Sequence, residues 1–170
     1  PFERPHDRDD LGRLLVYFAR EYQPFAIRDG RSGALLGVAS YMRPNPGAGS
    51  IEVGAVIYSP RLQRSPIATE AMYLMMARVF ATGYRRYEWK CHALNAASRA
   101  AALRLGFQFE GIFRQHAIYK RRSRDTAWFS VIDSDWAGLS LAFEAWLAPE
   151  NFDREGRQIR SLASLRLGTP

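Results

Sequence analysis

Cysteine is nearly absent from this sequence of 170 residues, which contains only Cys91 and therefore forms no internal disulfide. A single cysteine is typical of a protein in a reducing compartment, so we expect the cytoplasm, with Cys91 as a small buried apolar residue. No apolar run approaches the roughly 18 residues that a membrane-spanning helix requires, so we expect no membrane partner. No group of His, Cys and acidic residues has the spacing of metal ligands, so we expect no metal site.

Acidic residues are scarcer than basic ones: 17 Asp and Glu stand against 24 Lys and Arg, which gives a formal net charge of +7. This excess favours anionic ligands, such as a phosphorylated cofactor or an acidic partner. The densest basic run is Lys120-Arg121-Arg122-Ser123-Arg124, which we interpret as a solvated hairpin tip with some capacity to attract an acidic peptide or a nucleotide-bearing substrate. Only the net charge suggests a nucleic-acid-binding module, and we do not expect nucleic acid as a partner.

The length predicts one domain that is large enough to bury a core. Apolar residues alternate with polar ones over several short segments and recur at helical spacing over others. Residues 29–33 are expected to form a turn, and the odd-numbered residues of 51–57 to share one face of a strand. In chain order, we predict a helix capped by Asp9 or Asp10 and ended by Pro24, strands at 24–28, 34–41 and 51–58, a helix at 65–82, a strand at 86–92, a helix from Ala96, strands near 107–119 and 127–132, and a helix capped by Ser134 and stopped by Pro149.

Residues 95–111 carry the clearest local signals. Asn95 is suited to cap a helix, because its side-chain oxygen can accept an N–H of the first turn. The residues that follow are strong helix formers, and Gly106 stands where helices often end on a left-handed residue. Phe107 and Phe109 then alternate with polar residues, which predicts that the chain passes from this helix directly into a strand.

The pattern N-x-x-S at residues 95–98, followed by L-G-F-x-x-E-G at residues 105–111, resembles the second acetyl-CoA motif of the GNAT superfamily of N-acetyltransferases. Within that superfamily it resembles the RimJ/RimL-type branch, whose members acetylate the α-amino groups of ribosomal proteins. The order and spacing of that branch's core motif are found upstream in Ile51-Glu52-Val53-Gly54, Ser59-Pro60 and Gln63-Arg64-Ser65-Pro66-Ile67-Ala68-Thr69-Glu70-Ala71. The resemblance covers residues 34–133.

This resemblance implies the α/β (α+β) GNAT acyl-CoA N-acyltransferase fold, with a mixed, mostly antiparallel central sheet flanked by helices. The family's fourth and fifth strands, here residues 51–58 and 86–92, are expected to splay apart. We expect residues 1–148 to form the acetyltransferase domain and residues 149–170 a basic tail that either docks on it or stays loose. The family's first strand and first helix have no counterpart here, so we expect an N-terminal piece of the natural protein to be missing.

Acetyl-CoA is the cosubstrate that the resemblance implies. A helix N-terminus offers unpaired N–H groups and a positive dipole end to its pyrophosphate. In the family this helix starts with R/Q-x-x-G-x-G/A, and residues 63–68 match except that Pro66 replaces the first glycine. Proline suits the first turn but donates no N–H, a loss that phosphate pairing by Arg64 or Arg61 would offset. The alternative is a plain helix capped by Ser65 and started by Pro66.

The pantetheine arm of acetyl-CoA is expected to pair with the backbone of residues 56–58 as an added strand would. Asn95 would hold this arm as well as cap its helix, and Ser98 would lie near the sulfur. The residues that we expect to bind acetyl-CoA are Val56, Ile57, Tyr58, Gln63, Arg64, Ser65, Ile67, Ala68, Thr69, Asn95 and Ser98.

Acetyl transfer to an amine requires a neutral amine, a stabilised oxyanion and a proton for the leaving thiolate. The resemblance assigns that proton to Ser98, and the alternative is a hydroxyl that bonds its own helix backbone. Glu52 is the first candidate for the general base, because burial makes a carboxylate more basic, and the alternative is a solvent-facing strand carboxylate. The acid that some relatives carry after the Glu-Gly pair is absent, which leaves His116 or water as other bases and Tyr119 as a weaker candidate acid.

We therefore expect an N-acetyltransferase that moves acetyl from acetyl-CoA to a primary amine by direct attack through a tetrahedral intermediate. The branch favours a protein or peptide N-terminal α-amine. A small-molecule amine (an amino acid, aminoacyl conjugate or antibiotic) is the alternative, because acceptor pockets vary within one fold. Pro66 and the missing acid favour a further alternative, a non-catalytic acetyl-CoA-binding domain. A homodimer is compatible with the resemblance.

Overall fold

A computed structural model of the chain describes residues 6–167, so the predicted limits at residues 1 and 170 lie outside the described residues. None of the helices within 6–167 has the length and apolar character needed to cross a bilayer. In chain order, the elements are α1 (Arg8–Glu21), β1 (Gln23–Arg28), β2 (Leu35–Asn45), β3 (Ser50–Tyr58), α2 (Pro66–Ala81), β4 (Arg86–His92), α3 (Ala96–Arg104), β5 (Gln108–Tyr119), β6 (Arg122–Ile132), α4 (Asp133–Leu147), a 3-10 turn (Pro149–Asn151) and α5 (Leu162–Leu167).

The six strands form one sheet in the order β1-β2-β3-β4-β6-β5. Every neighbouring pair runs antiparallel except β3 and β4, which run parallel and are connected through α2. Parallel neighbours need a long crossover, and α2 provides it. The expected mixed, mostly antiparallel sheet flanked by helices is therefore confirmed.

The parallel strands β3 and β4 are paired over a short stretch only. Their pairing covers four positions and ends with Val53 opposite Trp89. Beyond that point, residues 54–58 of β3 and residues 90–92 of β4 have no partner in each other. These two segments border a gap, which we call the wedge. The expected splaying of the two strands is confirmed.

One face of the sheet packs against α2 and α4 to form the core. From β4, Tyr87, Trp89 and Cys91 point to this side and are buried, as the alternation in the sequence predicts. The two helices meet through stacked rings, with the centroids of Phe80 and Trp136 5.0 Å apart. The helices contribute the buried residues Met72, Met75, Met76, Val79, Leu139, Phe143 and Trp146.

The described part of the C-terminal tail docks on this core. Leu162 and Leu165 are buried, and α5 packs against α4. Asn151 fastens the segment between them: its side-chain amide donates to the Trp146 carbonyl at 2.9 Å and accepts the Arg160 N–H at 2.8 Å. Of the two alternatives for the tail, the structure therefore shows the docked one over residues 149–167.

The helices α2 and α3 have the caps that the sequence predicts. The Ser65 hydroxyl accepts the N–H of Ala68 at 3.2 Å, and the Asn95 side chain caps α3 in the same way. Gly83 and Gly106 follow the two helices with φ of +87° and +96°, in the left-handed region that glycine adopts at no steric cost.

The predicted cap of α1, Asp9 or Asp10, is wrong by two or three residues. Asp7 is the N-cap, and its carboxylate accepts the N–H of Asp10 at 2.8 Å. Asp10 itself forms an ion pair with Arg13. The helix also ends at Glu21, before Pro24. Since acidic residues at 7, 9 and 10 can all cap, the sequence leaves the position of the first turn open.

The predicted cap of α4 is also wrong. The helix begins at Asp133, so Ser134 lies within its first turn. The Asp135 carboxylate accepts the N–H of Ile132 at 3.4 Å and so partners the residue that precedes the helix. Strand β6 leads directly into α4, which leaves no loop residue to act as a cap.

The basic run at residues 120–124 forms a hairpin turn and the start of a strand. Strand β6 begins at Arg122, earlier than predicted. The turn consists of Lys120 and Arg121, whose φ values of +48° and +61° match the two central positions of a type I′ turn. This turn suits the twist of paired strands, so the hairpin forms here without the glycine that is usual at such positions.

Candidate functional site

Strand β3 contains a bulge at the point where it leaves β4. Its register with β2 shifts between Gly54 and Ile57, so Ala55 and Val56 have no partner on β2, and they have none on β4. The φ of Ala55 is +49°, which is uncommon for a residue with a side chain. Bulges redirect the backbone locally. The peptide groups of residues 55 and 56 therefore lie outside both ladders, at the border of the wedge.

The bulge also reverses the side-chain alternation of β3. Ile51 and Val53 are buried, whereas Ile57 is 49% exposed. The expectation that all odd-numbered residues of 51–57 share one face is therefore wrong beyond Gly54. One inserted residue moves every later side chain to the opposite face of the sheet.

The N-terminus of α2, which follows the loop after β3, presents unpaired N–H groups. The Ser65 hydroxyl occupies the N–H of Ala68, and Pro66 has no N–H to offer. Within the described residues, the N–H groups of Arg64 and Ile67 donate to no acceptor. Two free donors at a helix N-terminus suit an anionic group, even with proline in the first turn.

The side chains of this loop that we expect to bind acetyl-CoA differ in their exposure and in their hydrogen-bond partners. Gln63 is exposed and its amide donates to the Tyr58 carbonyl at 3.4 Å. Thr69 is buried, and its hydroxyl accepts a hydrogen bond from Arg104 at 3.0 Å, so its side chain is not exposed to a ligand. Burial raises the pKa of Tyr58 to about 12, so its phenol stays protonated at the end of the wedge.

Removing the Ser65 cap is expected to weaken the start of α2. In Ser65→Ala the N–H of Ala68 loses its intramolecular acceptor, and the free energy of unfolding should fall by about 1 kcal/mol. For a chain of this size that corresponds to a decrease in Tm of roughly 2–4 °C. Thermal unfolding monitored by circular dichroism measures it. Ser134→Ala, at an exposed serine that caps no helix, is the matched control, and an equal change in both variants would contradict the prediction.

The start of α3 places Ser98 beside β4. The N–H of Ser98 donates to Asn95 Oδ1 at 3.0 Å, which fixes the first turn. The Ser98 hydroxyl accepts a hydrogen bond from the Trp89 indole N–H at 3.0 Å. A bond from the hydroxyl to its own helix backbone, the alternative considered above, is not among the hydrogen bonds of residues 6–167. Trp89 is the last paired residue of β4, so this hydroxyl lies near the apex of the wedge.

Cys91 lies on the same face of β4 as Trp89 and is buried. Burial raises the pKa of its thiol above the ordinary value, and the hydroxyl of Ser98 and the charges of Arg99 and Arg124 only partly oppose this. A protonated, buried thiol is a poor nucleophile. The expectation that Cys91 is a small buried apolar residue is confirmed.

Glu52 is buried on the opposite face of the sheet, so the alternative of a solvent-facing carboxylate is wrong. Only 3% of its surface is exposed. Arg43 donates to both carboxylate oxygens at 2.8 Å, and the Lys90 ammonium lies 3.0 Å from Oε2. Oε1 therefore has one cationic donor and keeps an unused lone pair. It faces Gly54, the first residue of β3 beyond the pairing, where a Cβ would lie 3.6 Å from Oε1.

The ion pair of Glu52 continues across the sheet as a network. Lys90 also pairs with Glu88 at 3.1 Å, and its ammonium lies 3.7 Å from the centroid of the Trp128 ring. Arg86 connects Glu88 to Glu110. The hydrogen bonds from Arg86 hold the pKa of Glu110 below its ordinary value. Alternating charges therefore fix the side chains of this face, which is opposite to the face that packs on α2 and α4.

His116 and Tyr119 lie on the hairpin side of this same face. The His116 Nδ1 is 2.9 Å from the hydroxyl of Thr126, and the ring is exposed. Thr126 is the ladder partner of His92, so His116 lies near the open end of the wedge. Tyr119 lies farther out, at the hairpin turn. The structure thus brings Glu52 and Ser98 to the two faces of the wedge apex and places His116 and Tyr119 beyond them.

Three residues of this site were not identified from the sequence: Trp89, Lys90 and Arg104. The alternation at 86–92 predicts only that Trp89 shares one face of its strand with Tyr87 and Cys91, although the indole N–H of a buried tryptophan needs an acceptor, and that need is the available signal. Lys90 partners Glu52 from a neighbouring strand, and Arg104 reaches Thr69 from another helix. Neither of these contacts has a signal in sequence spacing, because both depend on how the elements assemble.

Comparison with known proteins agrees with this geometry. Residues 3–108 match the family described as Acetyltransferase (GNAT) domain. A GCN5-related N-acetyltransferase from Brucella melitensis is 48% identical and has a TM-score of 0.92, with 95% of this chain and 75% of that chain covered. A probable acetyltransferase of the GNAT family from Chromobacterium violaceum is 41% identical with a TM-score of 0.76, covering 81% and 70%. Among curated proteins no match is found.

More distant structures agree in fold alone. A spermidine N-acetyltransferase from Vibrio cholerae is 18% identical, with a TM-score of 0.63 and coverage of 75% of this chain and 76% of that one. The family match spans more than half of the chain. It contains the strands of the wedge, the bulge and the first cofactor motif, and the second cofactor motif, at residues 95–111, begins within it and ends just beyond it. This chain therefore belongs to the GNAT family of N-acetyltransferases, enzymes that use acetyl-CoA.

Proposed function

We propose that this enzyme acetylates the N-terminal α-amine of a protein or peptide, as members of the RimJ/RimL-type branch do. The observation that carries the proposal is the wedge, which has unpaired backbone at residues 55 and 56, the Ser98 hydroxyl on one side and the Glu52 carboxylate on the other. A single, buried cysteine supports a cytoplasmic location.

Acetyl-CoA fits this site in two places. Its pantetheine arm would lie along residues 54–58 of β3, which have open backbone on the wedge side. Its pyrophosphate would lie at the start of α2, where the N–H groups of Arg64 and Ile67 are available. A backbone N–H at the bulge, directed at the thioester carbonyl, would stabilise the oxyanion that forms there. Pro66 removes one donor from the pyrophosphate site, and we propose that Arg61 and Arg64 offset it.

Ser98 is proposed to protonate the leaving thiolate. The indole N–H of Trp89 can only donate, so the Ser98 oxygen accepts that bond and its own proton remains available to another acceptor. As the amine nitrogen bonds to the acetyl carbon and the carbon–sulfur bond breaks, this proton passes to the sulfur. The proton released by the amine then restores the hydroxyl through Glu52 or water. Trp89 acts as a positioning residue in this scheme.

Glu52 is proposed to receive the proton of the attacking amine at Oε1, the oxygen with the unused lone pair beside Gly54. Arg43 and Lys90 hold the carboxylate in place. His116 also lies on this face, and its position near the open end of the wedge makes it a candidate base for an acceptor that enters from there. Water in the wedge is the remaining route for the proton.

The test is release of CoA thiol from acetyl-CoA in the presence of a panel of peptides and small amines. We expect peptide α-amines to be acetylated faster than amino acids, aminoacyl conjugates or aminoglycosides. Acetyl-CoA at about a hundred times its Kd should also raise the free energy of unfolding by about 2.7 kcal/mol. Protection without thiol release for any acceptor would indicate a non-catalytic binding domain, which the loss of a donor at Pro66 favours. If acetyl-CoA neither raises the stability of the protein nor releases its thiol with any acceptor, the proposal is refuted.

A further inference from the structure

A cavity at the end of β4, against the β5–β6 hairpin, is lined mainly by basic side chains. Its volume is about 390 Å³. We call it the basic pocket. No acidic side chain from the described residues lines it. The lining residues are His92, Tyr119, Lys120, Arg122, Ser123 and Arg124.

Two arginines of the basic pocket lack a counter-ion. Within residues 6–167, no carboxylate lies within ion-pair distance of Arg122 or Arg124. The Nε of Arg124 is buried and has no hydrogen-bond acceptor. A buried donor of a charged group without an acceptor is costly. An anionic ligand would supply the acceptor that the protein does not.

His92 adds a further donor to the pocket. Its Nδ1 accepts the N–H of Leu94 at 3.0 Å. An acceptor nitrogen carries no proton, so the neutral ring has its proton on Nε2. The free nitrogen of His92 is therefore a donor whether the ring is neutral or charged. Such a ring offers an N–H to an anion.

The basic pocket lies on the face of the sheet that carries Glu52, the proposed base. Ser98 of α3 lies on the other face, where it accepts the indole N–H of Trp89. His92 lies opposite Thr126 in the β4–β6 ladder, and Arg124, two residues before Thr126, points to the same side. Trp89 marks the apex of the wedge, and His92 lies three residues farther along β4, about 10 Å at 3.3 Å per residue.

We propose that the basic pocket binds an anionic side chain of the acceptor, about three residues from the reacting α-amine. The inference rests on the proposed transfer to a peptide N-terminus. An extended peptide advances roughly 3.3–3.6 Å per residue, so its third residue with its side chain spans about 10 Å. The carboxylate of a free amino acid lies too close to its amine to reach from the wedge to the pocket. The preferred acceptor is therefore an acidic or phosphorylated N-terminal sequence.

The test uses eight-residue peptides with the same first residue. One carries glutamate at position three, one carries glutamine there, and one carries that glutamine with glutamate moved to position seven. We expect kcat/KM for the first to exceed that for the other two by about tenfold or more. A fourth peptide with phosphoserine at position three distinguishes phosphate from carboxylate as the preferred anion.

Arg124→Gln should reduce this preference to less than about twofold, because the guanidinium whose Nε has no acceptor is lost. Arg154→Gln is the matched control, since it removes the same charge from an exposed residue outside the pocket and should keep the preference. If Arg124→Gln does not fold, Arg122→Gln, at an exposed lining residue, carries the same expectation. A preference that survives substitution of these residues would overturn the proposal.

Equal preference for the two glutamate peptides would indicate attraction by the net charge of +7 and would also overturn the proposal. Calorimetric binding of the same peptides to the protein saturated with CoA examines the pocket without turnover. Equal turnover of all peptides refutes the pocket and leaves the proposed function intact. Selective binding of the peptide with glutamate at position three, without any turnover, refutes the proposed function and supports the pocket.

Discussion

Ser98→Ala is expected to lower kcat about a hundredfold or more, because the leaving thiolate loses its proton donor. The Kd for acetyl-CoA should stay within about threefold of the original value, since the Asn95 cap of α3 does not depend on the hydroxyl. Steady-state thiol release gives kcat, and calorimetry gives the Kd. A kcat above about a third of the original value would refute the assigned role of Ser98.

Two further variants test whether the loss of kcat is specific to the hydroxyl of Ser98. Ser134→Ala removes an exposed hydroxyl far along the chain and should leave kcat unchanged. Trp89→Phe keeps an aromatic ring in the core but removes the indole N–H that holds the Ser98 oxygen. We expect Trp89→Phe to lower kcat by less than Ser98→Ala, because the hydroxyl remains but is no longer fixed. If Trp89→Phe changes only the Tm and not kcat, Trp89 has a packing role alone.

Glu52→Gln is expected to lower the free energy of unfolding by about 3 kcal/mol, because it leaves the cations of Arg43 and Lys90 without their shared anion. At 2–4 °C per kcal/mol this is a decrease in Tm of roughly 6–12 °C. Denaturant unfolding measures the free energy. Glu155→Gln, at an exposed carboxylate paired with Arg157, is the matched control and should change stability by less than about 0.5 kcal/mol.

The same Glu52→Gln variant separates a structural role from a catalytic one. Measured well below its Tm, a folded Glu52→Gln protein should retain Kd for acetyl-CoA and lose kcat by about a hundredfold if Oε1 receives the amine proton. A kcat close to the original value would assign the proton to His116 or water instead. Unchanged stability would show that the ion pair of Glu52 with Arg43 and Lys90 contributes nothing to folding.

The parts of the fold that the sequence predicts correctly are those with local causes. Ser65 and Asn95 cap helices through hydrogen bonds within one turn, and the glycines at 83 and 106 end them through their own backbone freedom. The strand at 86–92 alternates without interruption, so both its limits and its buried face follow from the pattern. In each case the energy depends on residues fewer than five positions apart.

The parts that the sequence does not predict depend on strands and helices that meet only after folding. The bulge at Ala55 has no local signal, because alanine is an ordinary residue in an extended strand and only the pairing of β2 forces its positive φ. The partners of Glu52 come from β2 and β4, and the partner of Ser98 comes from β4. Predicting them would require the register of three strands, which the spacing of residues does not contain.

The resemblance to the family motifs predicted more of the site than the periodicity of apolar residues did. Residues 51–54 and 95–98 are parts of the two motifs that carry the resemblance, and the structure brings both segments to the apex of the wedge. The roles of their side chains were less well determined, since a buried, triply hydrogen-bonded Glu52 differs from both the free base and the solvated carboxylate that the sequence suggested. Burial and partner identity are properties of the assembled sheet.

The short parallel ladder that ends at Val53 and Trp89 has a consequence for recognition. Because residues 54, 57 and 58 of β3 and residues 90–92 of β4 pair with their outer neighbours, the gap between the two strands is fixed by the backbone hydrogen bonds of the sheet. With the protein side of the site fixed in this way, the ordering entropy of binding falls mainly on the flexible arm of the ligand. A stiffer analogue of that arm should therefore gain affinity simply by being straight.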